Sequence, residues 1–374
     1  MNILVLTPYA PLLNRHGGGV RMYHNIRLVA ERHSVHVVSF VESSDERAAL
    51  ESVRRICDSV VAVERNVDYR PRWFSLAPFS IQEFDTPEMR DAVEREFRAR
   101  NIDVLQCEYL QMAQYQRPGP LSIVTAHEAA SANAFEAFSH ASGDPGMSLR
   151  LFSRWMSTLH YEISVCNRFD RIVTMTKEDA DYLRSYAQHA NIRHIPIGID
   201  PDYFQPVSED SPPPVEVLFV GNFRHPPNIE AAAFLLREVA PYFPDLRFVI
   251  AGSHVPDTLP KADNVVFPGY VRDTRELFHG PSTIFIAPLF SGTGQRVKLL
   301  EAFAMASPVI TTSLGARGFP IVTGRQALIA ETAAEFRSAL ARLLSSTGLR
   351  DLMGRHARRM ILDDFNWAKL RFQF

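Results

Sequence analysis

The sequence predicts an α/β protein built of two Rossmann-like domains, and three observations carry that prediction. Short apolar runs such as Asn2–Thr7, Val35–Val41, Val215–Val220 and Ile284–Ala287 alternate with longer segments of helical periodicity, the pattern of parallel strands joined by crossover helices. The stretch Pro201–Pro214 is dense in proline, with Ser208, Glu209, Asp210 and Ser211 among them, as a linker is. At 374 residues the chain is long enough for about two domains with full cores. The boundaries read from these features are 1–196 for the first domain, 197–214 for the linker, 215–360 for the second domain and 361–374 for a closing segment.

In the first domain Asn2–Thr7 reads as a buried strand, Pro8–Gly19 as a loop ending in three glycines, Val20–Arg32 as a helix and Val35–Val41 as the second strand. A dinucleotide-binding fingerprint does not fit here. Thr7 to Gly17 is too long for a tight first turn, and Met22 takes the place of the third glycine, although Glu42 follows the second strand as a ribose-binding acid would. Strands near Ser59–Val63 and Ile102–Gln106 flank a helix over Pro87–Ala99. Cys107-Glu108-Tyr109 and His127-Glu128 both follow strand ends, where open α/β sheets carry ligand residues. The aromatic, proline-rich segment Tyr69–Phe84 reads as a loop packed over the domain, with an acceptor channel or lipid contact as other readings. Ser148–Arg168 reads as a long helix. Its Arg150, Arg154, Trp155 and His160 belong to a solvated side or to a basic amphipathic face for a lipid surface. Thr176 is placed to cap a helix starting at Lys177.

In the second domain the strand Val215–Val220 leads into Gly221–Asn228 and a helix to Val239. Strands follow at Leu246–Ala251 and Val265–Val271, and Thr332 caps a helix to Ser345. The densest chemistry lies between Ile284 and Thr312. A strand stopped by Pro288 runs into a loop of small residues, a helix over Gln295–Met305 and a further strand. A glycine-rich loop entering a helix presents free N–H groups and the positive dipole end, which favour an anion such as phosphate. Gly294, Lys298 and Glu301 share one stripe, apart from the apolar face of Val297, Leu300, Phe303 and Ala304. Loop amides and Lys298 suit the phosphates of a nucleotide diphosphate, and Glu301 suits ribose hydroxyls. The residues alone leave open an ordinary surface pair of Lys298 with Glu301.

The run Ser291–Thr312, SGTGQRVKLLEAFAMASPVITT, resembles the donor-site motif of family 4 glycosyltransferases, in the branch common in bacterial polysaccharide assembly. Ile195-Pro196-Ile197-Gly198-Ile199-Asp200 is similar to the interdomain signature of that family, and Phe365-Asn366-Trp367 to its closing motif. The resemblance implies the GT-B arrangement, two Rossmann-like domains facing a cleft, with an acceptor-side first domain and a nucleotide-sugar-binding second one. It implies a retaining transfer of a sugar from a nucleotide diphosphate sugar to an acceptor hydroxyl. By the same resemblance His127 contacts the donor sugar. Lys298, Arg296 and the Gly292–Gly294 amides stabilise the leaving diphosphate, and the loop Ser291, Gly292, Thr293, Gly294 orients the sugar. Gly18 and Gly19 let the backbone approach the diphosphate, with Asn222 and Arg224 as further substrate contacts. His127, Lys298 and Glu301 are the catalytic candidates. The sequence departs from the pattern in three places: Asn222 stands where many members have arginine, Thr293 where many have a second glutamate, and Ile197 where asparagine is usual.

Composition narrows the rest. The net charge of −2 excludes bulk nucleic-acid binding, and 46% hydrophobic with 22% charged residues is ordinary for a globular chain. Cys57, Cys107 and Cys166 show neither metal nor disulfide spacing, which points to a reducing compartment. No run approaches the ~18–20 apolar residues of a membrane span. The expected protein is cytoplasmic or peripheral at the inner membrane, without metal or cofactor. Its expected partners are a nucleotide-sugar donor and a glycan or lipid-linked glycan acceptor. A sugar-nucleotide epimerase of the same fold and a non-catalytic nucleotide-sugar-binding homologue are the alternatives.

Overall fold

The computed structural model describes residues 1–13, 17–65, 77–141, 144–206, 213–292 and 294–370. The chain divides into one unit of Met1–Pro196 and a second beginning at Ile197.

The first unit is a seven-stranded parallel sheet of order β3-β2-β1-β4-β5-β6-β7. Its strands are β1 Asn2–Thr7, β2 Ser34–Val41, β3 Ser59–Glu64, β4 Val104–Glu108, β5 Leu121–Ala126, β6 Arg171–Thr174 and β7 Ile192–His194. Five helices matter below: α1 Gly17–Ala30, α2 Pro87–Ala99, α3 Ala130–Ser139, α4 Pro145–Arg168 and α5 Lys177–Tyr186. Leu4, Leu6, Val38, Phe40, Leu105 and Val124 are fully buried or nearly so, and they form the core under these helices. Such strands are apolar on both faces because helices cover both.

The second unit repeats the plan with six parallel strands, order β10-β9-β8-β11-β12-β13. They are β8 Glu216–Val220, β9 Arg247–Ala251, β10 Val265–Gly269, β11 Thr283–Ala287, β12 Val309–Thr311 and β13 Leu328–Ile329. Its principal helices are α6 Pro226–Phe234, α7 Val297–Ala304, α8 Ala333–Leu344 and α9 Thr347–Asp364. In each unit the strand order reverses at one place, between β1 and β4 and between β8 and β11. The paired registers there are Leu6 with Cys107 and Phe285 with Leu218. Loops leaving the carboxyl ends on either side of such a reversal diverge and leave a crevice, the usual ligand position of open α/β sheets.

The two predicted caps form: the Thr176 hydroxyl accepts from Asp179 N–H, and Thr332 makes a capping box with Glu335. Other boundaries differ from expectation. The glycines 17–19 lie inside the first turn of α1 and not in the preceding loop. Pro145, compatible with a first helical turn, starts α4 earlier than Ser148, and Asp144 caps it. α6 stops at Phe234, and the next turn widens so that Ala240 N–H donates to Leu235 O. α7 starts at Val297 and not at Gln295, because Gln295 is held elsewhere, as shown below. Of the segment Tyr69–Phe84, residues 69–76 lie outside the described residues, and Phe79–Gln82 is a single helical turn.

Residues 197–206 lie on the second unit. Arg358 of α9 donates to the carbonyls of Pro201 at 2.7 Å and of Phe204, and to Ala304 O at 2.7 Å. Ile199 bridges to Asn366, and Gly198 meets the Trp367 ring so closely that a Cβ there would stand 2.6 Å from it.

Candidate active site

Two clusters of polar side chains occupy the two strand-order reversals, one in each unit.

In the second unit the fully buried β11 delivers the chain to Pro288 and the small-residue loop. Gly292 and Gly294 have φ of +91° and +73°, the left-handed region that L side chains avoid. Thr293 lies outside the described residues. The Gln295 side chain turns away from the helix, its Oε1 accepting from Ile197 N–H at 2.6 Å. Its Nε2 is a buried donor without a partner among the described residues. Arg296 is the N-cap residue, extended at φ −88° and ψ 97°, and its guanidinium lies beside Gly292.

Lys298 and Glu301, one turn apart on α7, are half-buried and find different partners. Lys298 Nζ donates to Asn228 Oδ1 at 2.5 Å and stands 4.6 Å from the Phe219 ring centre. Asn228 Nδ2 in turn donates to Asn222 O at 2.7 Å, and Asn222 Oδ1 accepts from Arg224 N–H at 3.0 Å. This chain of contacts ties α7 to the loop after β8, across the reversal. Glu301 Oε2 accepts from Thr274 Oγ1 at 3.2 Å. Burial first, and then the charge of Arg296, push the Lys298 ammonium down to about 7, with Glu301 opposing. Burial pushes the Glu301 carboxyl up to about 7, against the Thr274 hydrogen bond and Lys298. Two cations therefore stand at the loop, and the lysine is held where its charge is costly. An anion entering there relieves that cost. Ser291 Oγ donates to Glu230 Oε2 at 2.7 Å, and Arg224 is exposed.

In the first unit Glu108 ends β4 and His127 follows β5, the neighbouring strand. Glu108 is completely buried, and its Oε2 lies 2.8 Å from His127 Nε2. Glu108 Oε1 accepts from Gln106 Nε2 at 2.6 Å and from the Thr125 hydroxyl at 3.3 Å. Tyr109 takes φ +64°, strained for a non-glycine residue, and lays its ring flat on the imidazole, centroids 3.6 Å apart and 5° between planes. Burial raises the Glu108 carboxyl, but the His127 hydrogen bond and the His127 and Arg21 charges outweigh it and hold the group low. Burial holds the imidazole below its ordinary value despite Glu108. The pair is thus carboxylate with neutral imidazole. A carboxylate only accepts, so Nε2 carries the proton and Nδ1 is left as an acceptor.

Arg21 is fully buried in α1, donates through Nη1 to Pro196 O, and is pushed down to about 10 by burial with Glu108 opposing. Gly18 and Gly19 open the same helix. The space a Cβ would need at Gly19 is filled by Leu12 O at 2.8 Å, so the close approach there is to the chain itself. The helix α3 after Glu128 has Ala129 as its N-cap residue, with no side-chain cap from it. The Ala130 and Ser131 amides go to Glu162 at 2.9 and 3.3 Å, and Ala129 N–H goes to Asp179.

Three residues of these clusters escape the sequence reading as site members. Arg21, with His24 and Asn25, forms a polar i, i+3, i+4 stripe within a helix that also buries Met22 and Ile26, which is a legible oddity. Glu108 is visible as a strand-end acid, but its partner is on another strand. Asn228 and Lys298 are joined only through the fold.

Comparison with known proteins gives two family matches: a model described as Glycosyltransferase Family 4 fits residues 16–203, and one described as Glycosyl transferases group 1 fits residues 214–346. An uncharacterized 44.6 kDa protein in the cps region of Klebsiella pneumoniae is 30% identical over 129 residues, 30% of this chain and 33% of that protein. The match thus spans about a third of its length. Among solved structures, sucrose-phosphate synthase from Thermosynechococcus elongatus superposes with a TM-score of 0.75 at 17% identity, covering 100% of this chain and 97% of that one. HepE from Anabaena in complex with UDP-glucose gives 0.72 at 13% identity, covering 100% and 98%. At these identities the likeness is one of fold.

Proposed function

The chain belongs to glycosyltransferase family 4, and from that premise we propose that it moves a hexosyl group from a nucleotide diphosphate sugar to a hydroxyl of a glycan or lipid-linked glycan, with retention at the anomeric carbon. The observation that carries the donor half is the line Lys298–Asn228–Asn222 at the reversal between β8 and β11, beside the two left-handed glycines. Lys298, Arg296 and the loop amides stabilise the departing diphosphate as negative charge develops, a preorganised electrostatic role. Glu301 accepts from ribose hydroxyls. In the first unit the neutral His127 offers Nδ1 to a sugar hydroxyl. The carboxyl rim of that sheet also carries Glu42 paired with Arg65 at 3.0 Å, Glu83 and Tyr9. Such a set suits a polyhydroxylated acceptor. UDP-glucose bound to HepE and the cps-region setting of the Klebsiella protein support a UDP-sugar donor and a role in polysaccharide, exopolysaccharide or glycolipid assembly. The reading assigns no resident metal or cofactor. With a lipid-linked acceptor the protein works in the cytoplasm, peripheral at the inner membrane.

Thermal stabilisation by UDP, GDP, ADP and their sugars, on wild type and Lys298→Ala, tests it. A nucleotide at ~100 times its dissociation constant adds about 2.7 kcal/mol of stability. Stabilisation by one of them, lost in the variant, supports the donor site and names the base. Stabilisation without transfer to any glycan moves the reading to a binding homologue, and stabilisation by none removes it.

A further inference from the structure

Glu301 is not held by the cation on its own helix, because Lys298 Nζ is turned to Asn228. Its polar partner among the described residues is Thr274, whose Oγ1 donates to Glu301 Oε2 at 3.2 Å, and Oε1 is left without one. Thr274 is half-buried and opens a single 3₁₀ turn, Thr274–Leu277, in the loop that follows β10.

That turn stands on a firm base. Asp273 caps it, Oδ1 accepting from Arg275 N–H at 3.1 Å. The Arg275 guanidinium forks onto the same carboxylate, with Nε 2.9 Å from Oδ1 and 3.0 Å from Oδ2. It also lies 3.8 Å from the centre of the Tyr203 ring, and Nη1 donates to Tyr203 O at 3.2 Å. Tyr203 sits between Pro201 and Phe204, whose carbonyls Arg358 of α9 holds.

A threonine on such a base has few rotamers, because β-branching stiffens χ1. The bond to Oε2 then settles where its hydroxyl hydrogen points. An oxygen that has given its hydrogen keeps two lone pairs, so Thr274 Oγ1 and Glu301 Oε1 are open acceptors on neighbouring side chains. A ribose offers two vicinal hydroxyls to such a pair, and a deoxyribose offers one. We propose that Thr274 is a specificity-determining residue of the donor site. Its hydroxyl fixes the Glu301 carboxylate and accepts from one vicinal ribose hydroxyl, while Oε1 accepts from the other. The site thereby takes a ribonucleoside diphosphate and rejects its deoxy forms. The proposal rests on the reading of Glu301 as the ribose contact given above. Thr274 also favours the charged form of Glu301, as Lys298 of α7 does, against burial and Asp273 of the turn.

Calorimetric titration with UDP, GDP and ADP, each beside its 2′-deoxy and 3′-deoxy forms, tests it on wild type, Thr274→Val and Thr274→Ser. Wild type should bind one ribonucleotide and lose roughly 10-fold or more in affinity for each of its deoxy forms. Thr274→Val, nearly isosteric but without the hydroxyl, should bind that ribonucleotide roughly 10-fold more weakly. It should no longer distinguish one of the two deoxy forms from the parent, which names the hydroxyl that Thr274 takes. Affinity should also begin to weaken at a higher pH as pH falls, because the carboxylate has lost a donor. Thr274→Ser should restore affinity, discrimination and pH profile. A merely structural threonine would move the unliganded melting temperature and leave the discrimination as it is. Equal affinity of wild type for the ribonucleotide and both deoxy forms overturns the proposal, an arm that needs no variant. So does unaltered discrimination in Thr274→Val, with the donor site itself still standing. Binding of no diphosphate by wild type overturns the donor reading along with it.

Discussion

Glu108 Oε2 lies 2.8 Å from His127 Nε2 across two adjacent strands, with the Tyr109 ring flat on the imidazole. Hydrogen bond and stack together fix both the tautomer and the plane of His127, so Nδ1 has one direction in which to accept.

Glu108→Gln replaces an acceptor by a group that can turn its amide toward Nε2. Loss of a hydrogen bond to a charged group is worth about 1.5–3 kcal/mol. Transfer should therefore fall roughly 10–100-fold in kcat/KM, the same figure read as a rate. Stabilisation by the nucleotide should be unaffected, since that site is built from the second unit. A variant with wild-type transfer shows that the tautomer does not matter.

The same pair sets part of the acid limb of stability. The folded imidazole titrates below its ordinary 6.5, so as pH falls below 6.5 the unfolded chain takes up a proton first and stability declines. Glu108 titrates below its ordinary 4.5 and adds a second decline as pH falls below 4.5. His36 and His194, also held low chiefly by burial, share the first limb. Urea midpoints measured from pH 7 downward should fall from about 6.5, and His127→Asn should make that limb shallower without removing it. An unchanged slope in the variant means His127 is not buried neutral.

Nucleotide binding should carry a proton with it. Lys298 titrates at about 7 without ligand, and a diphosphate raises it. Above pH 7 binding therefore takes up a proton, and affinity weakens by up to about tenfold per pH unit. Glu301, at about 7 from the other side, releases a proton on engaging ribose below pH 7, so affinity is greatest near neutrality. Calorimetry in two buffers of different ionisation enthalpy reads the exchange. Lys298→Gln should remove the uptake above pH 7, and an undiminished uptake rules the lysine out as its source.

Glu162 is completely buried and accepts from Ala130 N–H, Ser131 N–H, the Ser131 hydroxyl and Tyr186 O–H. Glu162→Ala orphans buried donors at about 1–3 kcal/mol each, and a net loss of about 3 kcal/mol is expected. Glu162→Gln keeps one acceptor oxygen and should lose less. Equal melting temperatures for the two variants mean that the α3 amides find water instead.

Much of this was legible along the chain. The alternation of buried runs and amphipathic stretches predicts both sheets, and Thr176 and Thr332 announce their helices because capping is local chemistry. Lys298 stands out because helical spacing separates it from the apolar face. What spacing cannot give is the partner. Lys298 and Glu301 look like an i, i+3 pair, yet the fold brings Asn228 to one and Thr274 to the other. The start of α7 is hidden for the same reason: Gln295 is drawn off by Ile197, far away in sequence. The glycines before Val20 suggest a loop because glycine is a poor helix former, but in a first turn it costs little, and Gly19 is needed where Leu12 O presses on the helix.

One strand order, used twice, also separates what holds the protein together from what it selects. The sheets are closed by apolar strand interiors, whereas the chemistry hangs on the few residues that follow β1, β4, β5, β8 and β11. Exchanging those short loops between relatives should therefore retune the choice of nucleotide or of glycan while leaving the melting behaviour of the scaffold intact. Diversification of such a chain is a matter of rewriting its strand ends.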